Sequence, residues 1–344
     1  MVVLSGLPAG AVTWMIVPGG RWQATGFAGA LLAQRIPLAP GSLADPGSTG
    51  EVVVLVVGTD RRAGQPQSLP RLGRLSGERA DSISLWFLGP ERPVTILALP
   101  RDLQVTVPRH DRVKLSTSRE FGPDALVSAV RTLTGVAVHR YVEVDFAGFA
   151  ALVSAVGGVE VSNPLPLRDR HLGLELPAGR VRLDAPAALR YVRARSVETR
   201  REGTWSATQS GDLHRIRRQQ QVLVSALTRL RSAGPRALAG LADAARTGVA
   251  VDDRASVSAL ASLAETLAAG VGSAPTLCVL PSRRALADAV ATSPFPPGHE
   301  GSAVFRVVDA GPAAVMLGAV GFRDSAHPGA GILRPPAGCS VGGP

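Results

Sequence analysis

The sequence predicts an α/β fold: a layered α-β-α domain with a mixed central sheet flanked by helices, preceded by an N-terminal membrane segment. Residues 51–58 (EVVVLVVG) are a continuous run dominated by β-branched residues, typical of a strand that is buried on both faces. Helical patterns alternate with further strands along the rest of the chain. With 344 residues, 45% of them hydrophobic and 19% charged, the chain is long and apolar enough to bury a large core.

The N-terminus carries no charged side chain over its first 20 residues, which is about the length of a membrane-spanning helix. Pro8, Gly10 and Pro18 are awkward in a soluble helix and tolerable in a membrane helix. A signal peptide, a signal anchor and a buried helix are all open for this stretch. We predict the following division of the chain: a transmembrane anchor over 1–20, a linker over 21–50, a folded domain over 51–315 and a Gly/Pro-rich tail over 316–344.

The chain has a net charge of +10, and nearly all of its positive charge is arginine, since Lys114 is the only lysine. This balance suits anionic partners, including nucleic acid, lipid head groups and phosphorylated polymers. Arginine favours bidentate phosphate contacts, although a GC-rich coding sequence would produce the same bias. An aromatic content of 4% and the lack of a helix-turn-helix signature disfavour a nucleic-acid partner. Cys278 and Cys339 would fit either a disulfide or two buried thiols.

Three predicted strands bring polar residues to one place. The first strand ends at Asp60, the second begins beside Asp81, and the third, over 94–99, leads to Arg101. If these strands are neighbours that run up, down and up, the three residues meet at one edge of the sheet. Each residue alone has an ordinary structural explanation, but two adjacent carboxylates repel unless a cation lies between them, and their oxygen atoms suit Mg²⁺ or Mn²⁺.

A second polar group lies in the later, helical part of the chain. Arg193 and Arg195 occupy alternate positions after a predicted helix, and Asp212 opens a long helix on which Arg215 and Gln219, four residues apart, share a stripe. A helix N-terminus attracts anions, and two guanidiniums close to it would hold a phosphate in a bidentate manner. The pattern therefore predicts a phosphate or pyrophosphate site, with a solvated basic face as the alternative.

The remaining elements are predicted from periodicity and from helix start and stop signals. The predicted elements are helices over 124–133, 146–156, 236–245 and 256–269, strands over 141–144 and 159–161, and a closing strand pair around 276–280 and 304–308.

Eight short motifs, in order and with matching spacing over about residues 51–230, resemble those of the LytR-CpsA-Psr family. These motifs are Gly58-x-Asp60-x-Arg62, Arg79-x-Asp81-Ser82, Leu99-Pro100-Arg101-Asp102, Tyr141-Val142-x-Val144-Asp145-Phe146-x-Gly148-Phe149, Val156-Gly157-Gly158-Val159-x-Val161, Leu183-Asp184, Ala188-Leu189-x-Tyr191-x-Arg193-x-Arg195 and Gly211-Asp212-x-x-Arg215-x-x-Arg218-Gln219-Gln220.

The resemblance implies a single-pass protein of the cell membrane with an extracytoplasmic phosphotransferase domain. Such an enzyme takes an anionic glycopolymer from an undecaprenyl- or decaprenyl-pyrophosphate carrier and attaches it to peptidoglycan through a phosphodiester. The sequence does not identify the polymer; its richness in arginine, glycine and alanine indicates a high-GC Gram-positive source, which is compatible with arabinogalactan-like or teichoic polymers. A polyprenyl-pyrophosphate hydrolase, with water as the acceptor, and a nucleic-acid-binding transcriptional regulator are the alternatives.

The resemblance also implies roles for individual residues. Asp60 and Asp81 are expected to hold Mg²⁺ on the pyrophosphate. The residues expected to grip its oxygen atoms are Arg101, Arg193, Arg195, Arg215 and Gln219. Further pyrophosphate contacts are expected from Arg62, Arg79, Arg218 and Asp212. Asp102 and Asp212 are the carboxylates available as a base for the acceptor hydroxyl, and nothing in the sequence selects between them.

Overall fold

The fold is taken from a computed structural model of the 344-residue chain. It describes residues 34–47, 50–60, 79–89, 94–108, 110, 112–207, 211–231, 246, 248–256, 258–260, 263, 266, 267 and 275–280, and the strand residues 15–16, 22–23, 282–284, 305–307 and 339–341. Arg62 and the predicted helix over 236–245 lie outside these residues. So do half of the predicted helix over 256–269, the predicted anchor over 1–20 except 15–16, and the predicted tail over 316–344 except 339–341. No helix in the described part of the chain is long and apolar enough to cross a membrane.

Strands and helices alternate along the described chain, as the sequence predicts. The strands are β1 Met15–Ile16, β2 Trp22–Gln23, β3 Arg35–Ile36, β4 Val52–Thr59, β5 Ala80–Leu88, β6 Thr95–Ala98, β7 Gln104–Thr106, β8 Arg112–Lys114, β9 Arg140–Val144, β10 Val159–Asn163, β11 Leu167–Asp169, β12 Leu174–Leu176, β13 Gly179–Leu183, β14 Glu198–Arg201, β15 Thr204–Ala207, β16 Val249–Asp252, β17 Thr276–Val279, β18 Ser282–Arg284, β19 Phe305–Val307 and β20 Cys339–Val341. The helices are α1 Leu115–Ser118, α2 Pro123–Thr134, α3 Phe146–Ala155, α4 Ala185–Arg193 and α5 Asp212–Arg231, with a 3₁₀ turn over Arg119–Phe121.

Two compact units make up the chain. The first, called the arginine unit below, comprises Met1–Ile36, Val144–Gly272 and Pro344. The second, the sheet unit, comprises Pro37–Glu143 and Ser273–Gly343. The predicted acidic edge falls in the sheet unit, and the predicted basic group, apart from Arg101, falls in the arginine unit.

The sheet unit contains the mixed sheet that the sequence predicts. Its strand order is β20-β17-β6-β5-β4-β9. β4 pairs antiparallel with β5, and β5 pairs antiparallel with β6, while β17 runs parallel to β6. Leu55, Leu85 and Leu97, on the three adjoining strands, are fully buried, as expected for a sheet that is covered on both faces. The predicted arrangement of the first three strands is therefore confirmed.

Helix α2 begins and ends where its sequence signals indicate. Pro123 occupies its first turn, and Gly135, with φ of 71°, follows its last residue, as is typical of helix starts and stops. The Asp124 carboxylate accepts hydrogen bonds from the Ala39 N–H at 2.9 Å and from the Ser42 hydroxyl at 2.5 Å. These bonds attach part of the segment predicted as a linker to the folded unit.

The C-terminal part of the sheet unit is joined to the sheet. β20 pairs antiparallel with β17, and Cys278 lies opposite Cys339 in that register. Cys278 is disulfide-bonded, and the chain has only these two cysteines. The closing strands differ from the prediction, since 276–280 and 304–308 are not partners: β17 pairs with β6 and β20, whereas β19 pairs with β18.

The arginine unit contains α3, α4 and α5 with several small sheets. β11, β12, β14 and β15 form one antiparallel sheet, β10 pairs with β13, and β16 pairs in parallel with β3. Its core includes Val159, Leu183, Ala188 and Val197. Within the polar segment that follows Arg195, Glu198–Arg201 and Thr204–Ala207 form the β14–β15 hairpin.

Candidate functional site

Asp60, Asp81 and Arg101 lie at one edge of the sheet unit, as the strand order requires. The Arg101 guanidinium forms an ion pair with the Asp81 carboxylate. Asp60 is joined to the segment before β5 by two hydrogen bonds: its N–H donates to the Arg79 carbonyl at 3.3 Å, and its carboxylate accepts the Arg79 N–H at 3.0 Å. The predicted edge is thus present, with the carboxylates at the ends of two adjacent strands.

A β-bulge places Asp81 at this edge. Gly58 lies opposite Ser82, but the next residue, Thr59, lies opposite Ala80, so Asp81 is the additional residue on β5. Bulges bend a strand and re-aim its side chains, and they are common beside functional sites. A Cβ at Gly58 would lie 3.1 Å from the Ser82 Cβ, so glycine permits the close approach of the two strands here.

Further ion pairs surround the acidic edge. The Arg79 guanidinium donates to the Glu120 carboxylate at 2.7 Å, so Glu120 and Asp60 hold the side chain and the backbone of the same arginine. The Lys114 ammonium lies 3.1 Å from the Asp102 carboxylate. These contacts orient the charged groups at this edge.

The donor set at this edge is compatible with Mg²⁺. Among the described residues, no group of three or more His, Cys, Asp or Glu side chains could hold a metal ion. Mg²⁺, however, commonly uses only one or two protein carboxylates, with water and substrate phosphates as its other ligands. Asp60 and Asp81 supply two carboxylates of this kind, so the residues fit the ion when a phosphate group completes its coordination.

In the arginine unit, the first turns of α5 contact the segment that carries the paired arginines. The Gln219 side-chain amide donates to the Val192 carbonyl at 3.4 Å, and the Arg218 guanidinium donates to the Ala194 carbonyl. Arg215 forms an ion pair with Asp212 at the start of the helix. The helix begins at Asp212 itself, so this residue lies in the first turn. The predicted proximity of the two basic stretches is therefore observed within this unit.

Arg218 is the most unusual of these side chains. It is 3% exposed, and its Nε and Nη1 atoms are buried without a hydrogen-bond partner among the described residues. Burial lowers the pKa of its guanidinium, while Tyr191 and Asp169 oppose that shift. A buried guanidinium with unsatisfied N–H groups is costly, and the negative charge of Asp169 offsets part of that cost.

Arg193 and Arg195 differ in their surroundings. The Arg193 guanidinium lies over the Phe146 ring, 4.6 Å from its centroid, a cation–π contact that orients the side chain. Arg195 is exposed, while its backbone is fixed by a buried carboxylate, Asp169. The Arg193 guanidinium is thus oriented by an aromatic ring, whereas Arg195 is an exposed residue whose backbone is fixed.

Two buried carboxylates were not predicted from the sequence. Asp169 is 2% exposed and Glu143 is 3% exposed. Glu143 accepts hydrogen bonds from Arg119, at 3.1 Å for the Nη2 atom, and from the Tyr141 hydroxyl. Tyr141 is part of a family motif, which is the one signal that could have drawn attention to Glu143.

The acidic edge and the paired arginines belong to different units. Their participation in one diphosphate site, with Arg62 as a further contact, stays a prediction.

Comparison with protein families identifies the LytR-CpsA-Psr family (LytR_cpsA_psr), whose model matches residues 37–269. The matched region exceeds half of the chain and includes every predicted site residue.

Curated relatives include a probable cell wall biosynthesis protein, LcpB, of Corynebacterium glutamicum, 34% identical over 185 residues, covering 52% of this chain and 42% of LcpB. The polyisoprenyl-teichoic acid–peptidoglycan teichoic acid transferase TagU of Oceanobacillus iheyensis is 30% identical over 184 residues, covering 51% of this chain and 50% of TagU. The chain therefore spans about half the length, or less, of these relatives.

Among solved structures, a LytR-Csp2A-Psr enzyme from Actinomyces oris superposes with a TM-score of 0.62 at 26% identity, covering 90% of this chain and 100% of that chain. Bacillus subtilis TagT superposes with a TM-score of 0.56 at 20% identity, covering 83% of this chain and 98% of that chain. The two likenesses agree with the α/β fold and its mixed sheet.

Proposed function

Because the chain belongs to the LytR-CpsA-Psr family, we propose that it is a phosphotransferase that attaches an anionic glycopolymer to peptidoglycan. The donor is a polyprenyl-pyrophosphate-linked polymer, and the product is a phosphodiester. The similarity to TagU, a teichoic acid transferase by name, supports the class of reaction. Teichoic and arabinogalactan-like polymers are both compatible with this donor class.

The observation that carries the proposal is the cationic cluster at the start of α5. Arg215 and Arg218 are each 3% exposed, and two buried nitrogen atoms of Arg218 have no hydrogen-bond partner in the described chain. A diphosphate offers several anionic oxygen atoms to the guanidiniums of Arg193, Arg195 and Arg215, and the helix N-terminus favours the same charge.

In the proposed reaction, an acceptor hydroxyl oxygen attacks the phosphorus atom that bears the polymer. The bond from that phosphorus to the bridging oxygen breaks, and the polyprenyl phosphate leaves with the proton that the hydroxyl has lost. Arg193, Arg195 and Arg215 neutralise the non-bridging oxygen atoms as charge develops, which is the main protein contribution to phosphoryl transfer. Gln219 and Arg101 orient the diphosphate. A Mg²⁺ ion held by Asp60 and Asp81 would supply further charge neutralisation.

The disulfide supports an extracytoplasmic location for this domain. Cys278 is disulfide-bonded, and such bonds persist in oxidising compartments and are rare in the cytosol. We therefore propose a membrane-anchored protein whose domain faces outward, where both the lipid-linked donor and peptidoglycan are accessible.

The test uses the purified full chain with a radiolabelled undecaprenyl-pyrophosphate-linked glycan, sonicated peptidoglycan and Mg²⁺. Label joined to peptidoglycan is expected, whereas release of labelled phosphate or glycan phosphate without joining would indicate a hydrolase. Arg193→Ala, Arg195→Ala and Arg215→Ala should each reduce joining at least 100-fold with unchanged circular dichroism. Wild-type rates in these variants would contradict the role of these three arginines in gripping the diphosphate.

Matched controls are available on the same helices. Arg190 lies in the last turn of α4 and Arg217 in the first turns of α5, and both are exposed. Their alanine variants should retain joining within about twofold, because they change the same net charge at positions that face solvent. Asp81→Ala should in addition weaken the Mg²⁺ dependence, and an unchanged Mg²⁺ titration would contradict its role as a metal ligand.

A further inference from the structure

Four residues, 194–197, link α4 to the β14–β15 hairpin, and the first three of them, Ala194 to Ser196, include Arg195. Their backbone groups are held from two sides by buried side chains. The Asp169 carboxylate accepts the Arg195 N–H at 3.0 Å and the Ser196 N–H at 3.1 Å through its Oδ2 atom. The Arg218 guanidinium donates to the Ala194 carbonyl. The backbone of this link is therefore fixed on both its donor and its acceptor side.

Asp169 is well placed to act as a rigid support. It is the last residue of β11, which pairs with both β12 and β14, and its other oxygen atom accepts the His171 N–H at 3.0 Å. Asp169 is 2% exposed, so its carboxylate is shielded from water. Charge-assisted hydrogen bonds are strong in such an environment. Three backbone N–H groups thus converge on one buried negative charge.

The charge of Asp169 also acts on Arg218. The carboxylate raises the pKa of the Arg218 guanidinium against the effect of burial. Asp169 and Arg218 therefore stabilise each other while each binds a different backbone group of the same link. Removing the negative charge of Asp169 would weaken its hydrogen bonds with the Arg195 and Ser196 N–H groups. It would also leave the buried Arg218 guanidinium with less compensating negative charge.

We propose that Asp169 is a positioning residue for the phosphate-gripping arginines: its buried carboxylate fixes the Ala194–Ser196 backbone and so directs Arg193 and Arg195 at the diphosphate. The inference rests on the proposed function of those two arginines. Asp169 itself touches neither the donor nor the acceptor. A displacement of about 1 Å in a group that binds the reacting phosphate can reduce the rate by about 100-fold.

The test compares Asp169→Asn with a control variant at the start of α4. Asp169→Asn keeps the size of the side chain but turns one oxygen acceptor into a donor. Asp184→Ala is the control, because Asp184 caps the start of α4 through the Ala187 N–H at 2.8 Å and does not touch the link after that helix. Both variants lose a carboxylate that accepts backbone N–H groups in the arginine unit, so Asp184→Ala shows how far the loss of such a carboxylate away from the link alters exchange and kcat.

Hydrogen exchange and kinetics are measured on the full-length chains. Asp169→Asn should speed exchange of the Arg195 and Ser196 amides at least tenfold and lower kcat for joining the undecaprenyl-pyrophosphate-linked glycan about 30- to 100-fold. Asp184→Ala should leave both within about threefold of the wild type. Unchanged exchange in Asp169→Asn, or fast exchange with wild-type kcat, would overturn the positioning role.

The outcome can be separated from failure of the proposed function. A wild-type chain that does not join label to peptidoglycan, and does not bind geranylgeranyl pyrophosphate in calorimetry, would overturn the proposed function itself. A wild-type chain that does both, beside an equally active Asp169→Asn chain, would overturn only the present inference.

If Asp169→Asn does not fold, Ser196→Pro is the second variant, because it removes one of the two link N–H groups that donate to Asp169. It is expected to lower kcat at least tenfold, and a wild-type kcat would again contradict the inference.

Discussion

Replacing Glu143 by Gln should destabilise the sheet unit by several kcal/mol. Glu143 and Arg119 form an ion pair whose side chains are 3% and 9% exposed. The Tyr141 hydroxyl also donates to this carboxylate, and burial, together with Glu143, raises the pKa of the Tyr141 phenol, so the hydroxyl stays protonated. Gln keeps the shape of Glu but leaves the buried guanidinium without its counter-charge.

The expected magnitude follows from the burial of both partners. Breaking a buried pair by removing one charge typically costs about 3–5 kcal/mol, because the other charge stays buried and uncompensated. Tyr141→Phe removes only one hydrogen bond to a charged group and should cost about 1.5–3 kcal/mol. The double variant Arg119→Met with Glu143→Leu removes both charges and should cost less than Glu143→Gln alone.

Urea unfolding measures these differences, with the fluorescence of Trp86 on β5 as a reporter within the sheet unit and the other tryptophans replaced by Phe. The order of midpoints should be wild type first, then the double variant, then Glu143→Gln. A loss below about 1 kcal/mol in Glu143→Gln, or a double variant less stable than Glu143→Gln, would refute the reasoning that an uncompensated buried charge dominates.

Two further predictions concern β4 of the sheet unit. Lowering the pH from 7.5 to 5.5 should destabilise the wild-type chain more than a His139→Gln variant in urea titrations. Burial lowers the pKa of folded His139 below its usual 6.5, and its Nδ1 accepts the Val53 N–H at 2.9 Å. As the pH falls, the unfolded chain therefore takes up the proton first, and the stability that neutral His139 contributes above pH 6.5 is lost. An equal change in unfolding free energy with pH for the two chains would contradict this reasoning. Gly58→Ala should lower the free energy of unfolding by about 1–3 kcal/mol, because its Cβ overpacks against Ser82, and should weaken the Mg²⁺ dependence of joining. Gly89→Ala is the control, since its Cβ would have its nearest contact at 3.7 Å, and it should change neither quantity. Equal urea midpoints for the two alanine variants would exclude a packing role for Gly58.

The sequence predicted the acidic edge because the signals involved are local. A run of β-branched residues defines β4, turn residues separate β5 from β6, and short connections make successive strands neighbours. From these rules alone, Asp60, Asp81 and Arg101 had to meet. The bulge at Asp81 could not be predicted, since a register shift depends on how two strands pair and leaves no mark in either strand taken alone.

The supporting carboxylates were missed for a different reason. Asp169 binds backbone N–H groups 26 and 27 positions away, and Glu143 binds an arginine 24 positions away. Neither residue belongs to a periodic pattern that identifies its partner. An acidic residue near the end of a strand is most often solvated, so its burial becomes evident only when the strands around it are assembled.

The positions of these carboxylates bear on how an arginine-rich chain can prepare a site for an anion. Arg101 is paired with Asp81, Arg215 with Asp212, and Arg218 interacts with Asp169. Internal pairing orients each guanidinium before a ligand arrives, and binding is stronger when orientation has been settled in advance. A metal held by Asp81 would draw on the same carboxylate that orients Arg101. Metal binding and diphosphate binding are therefore expected to be coupled at that edge, whereas Arg218 keeps its buried partner whether or not a metal is present.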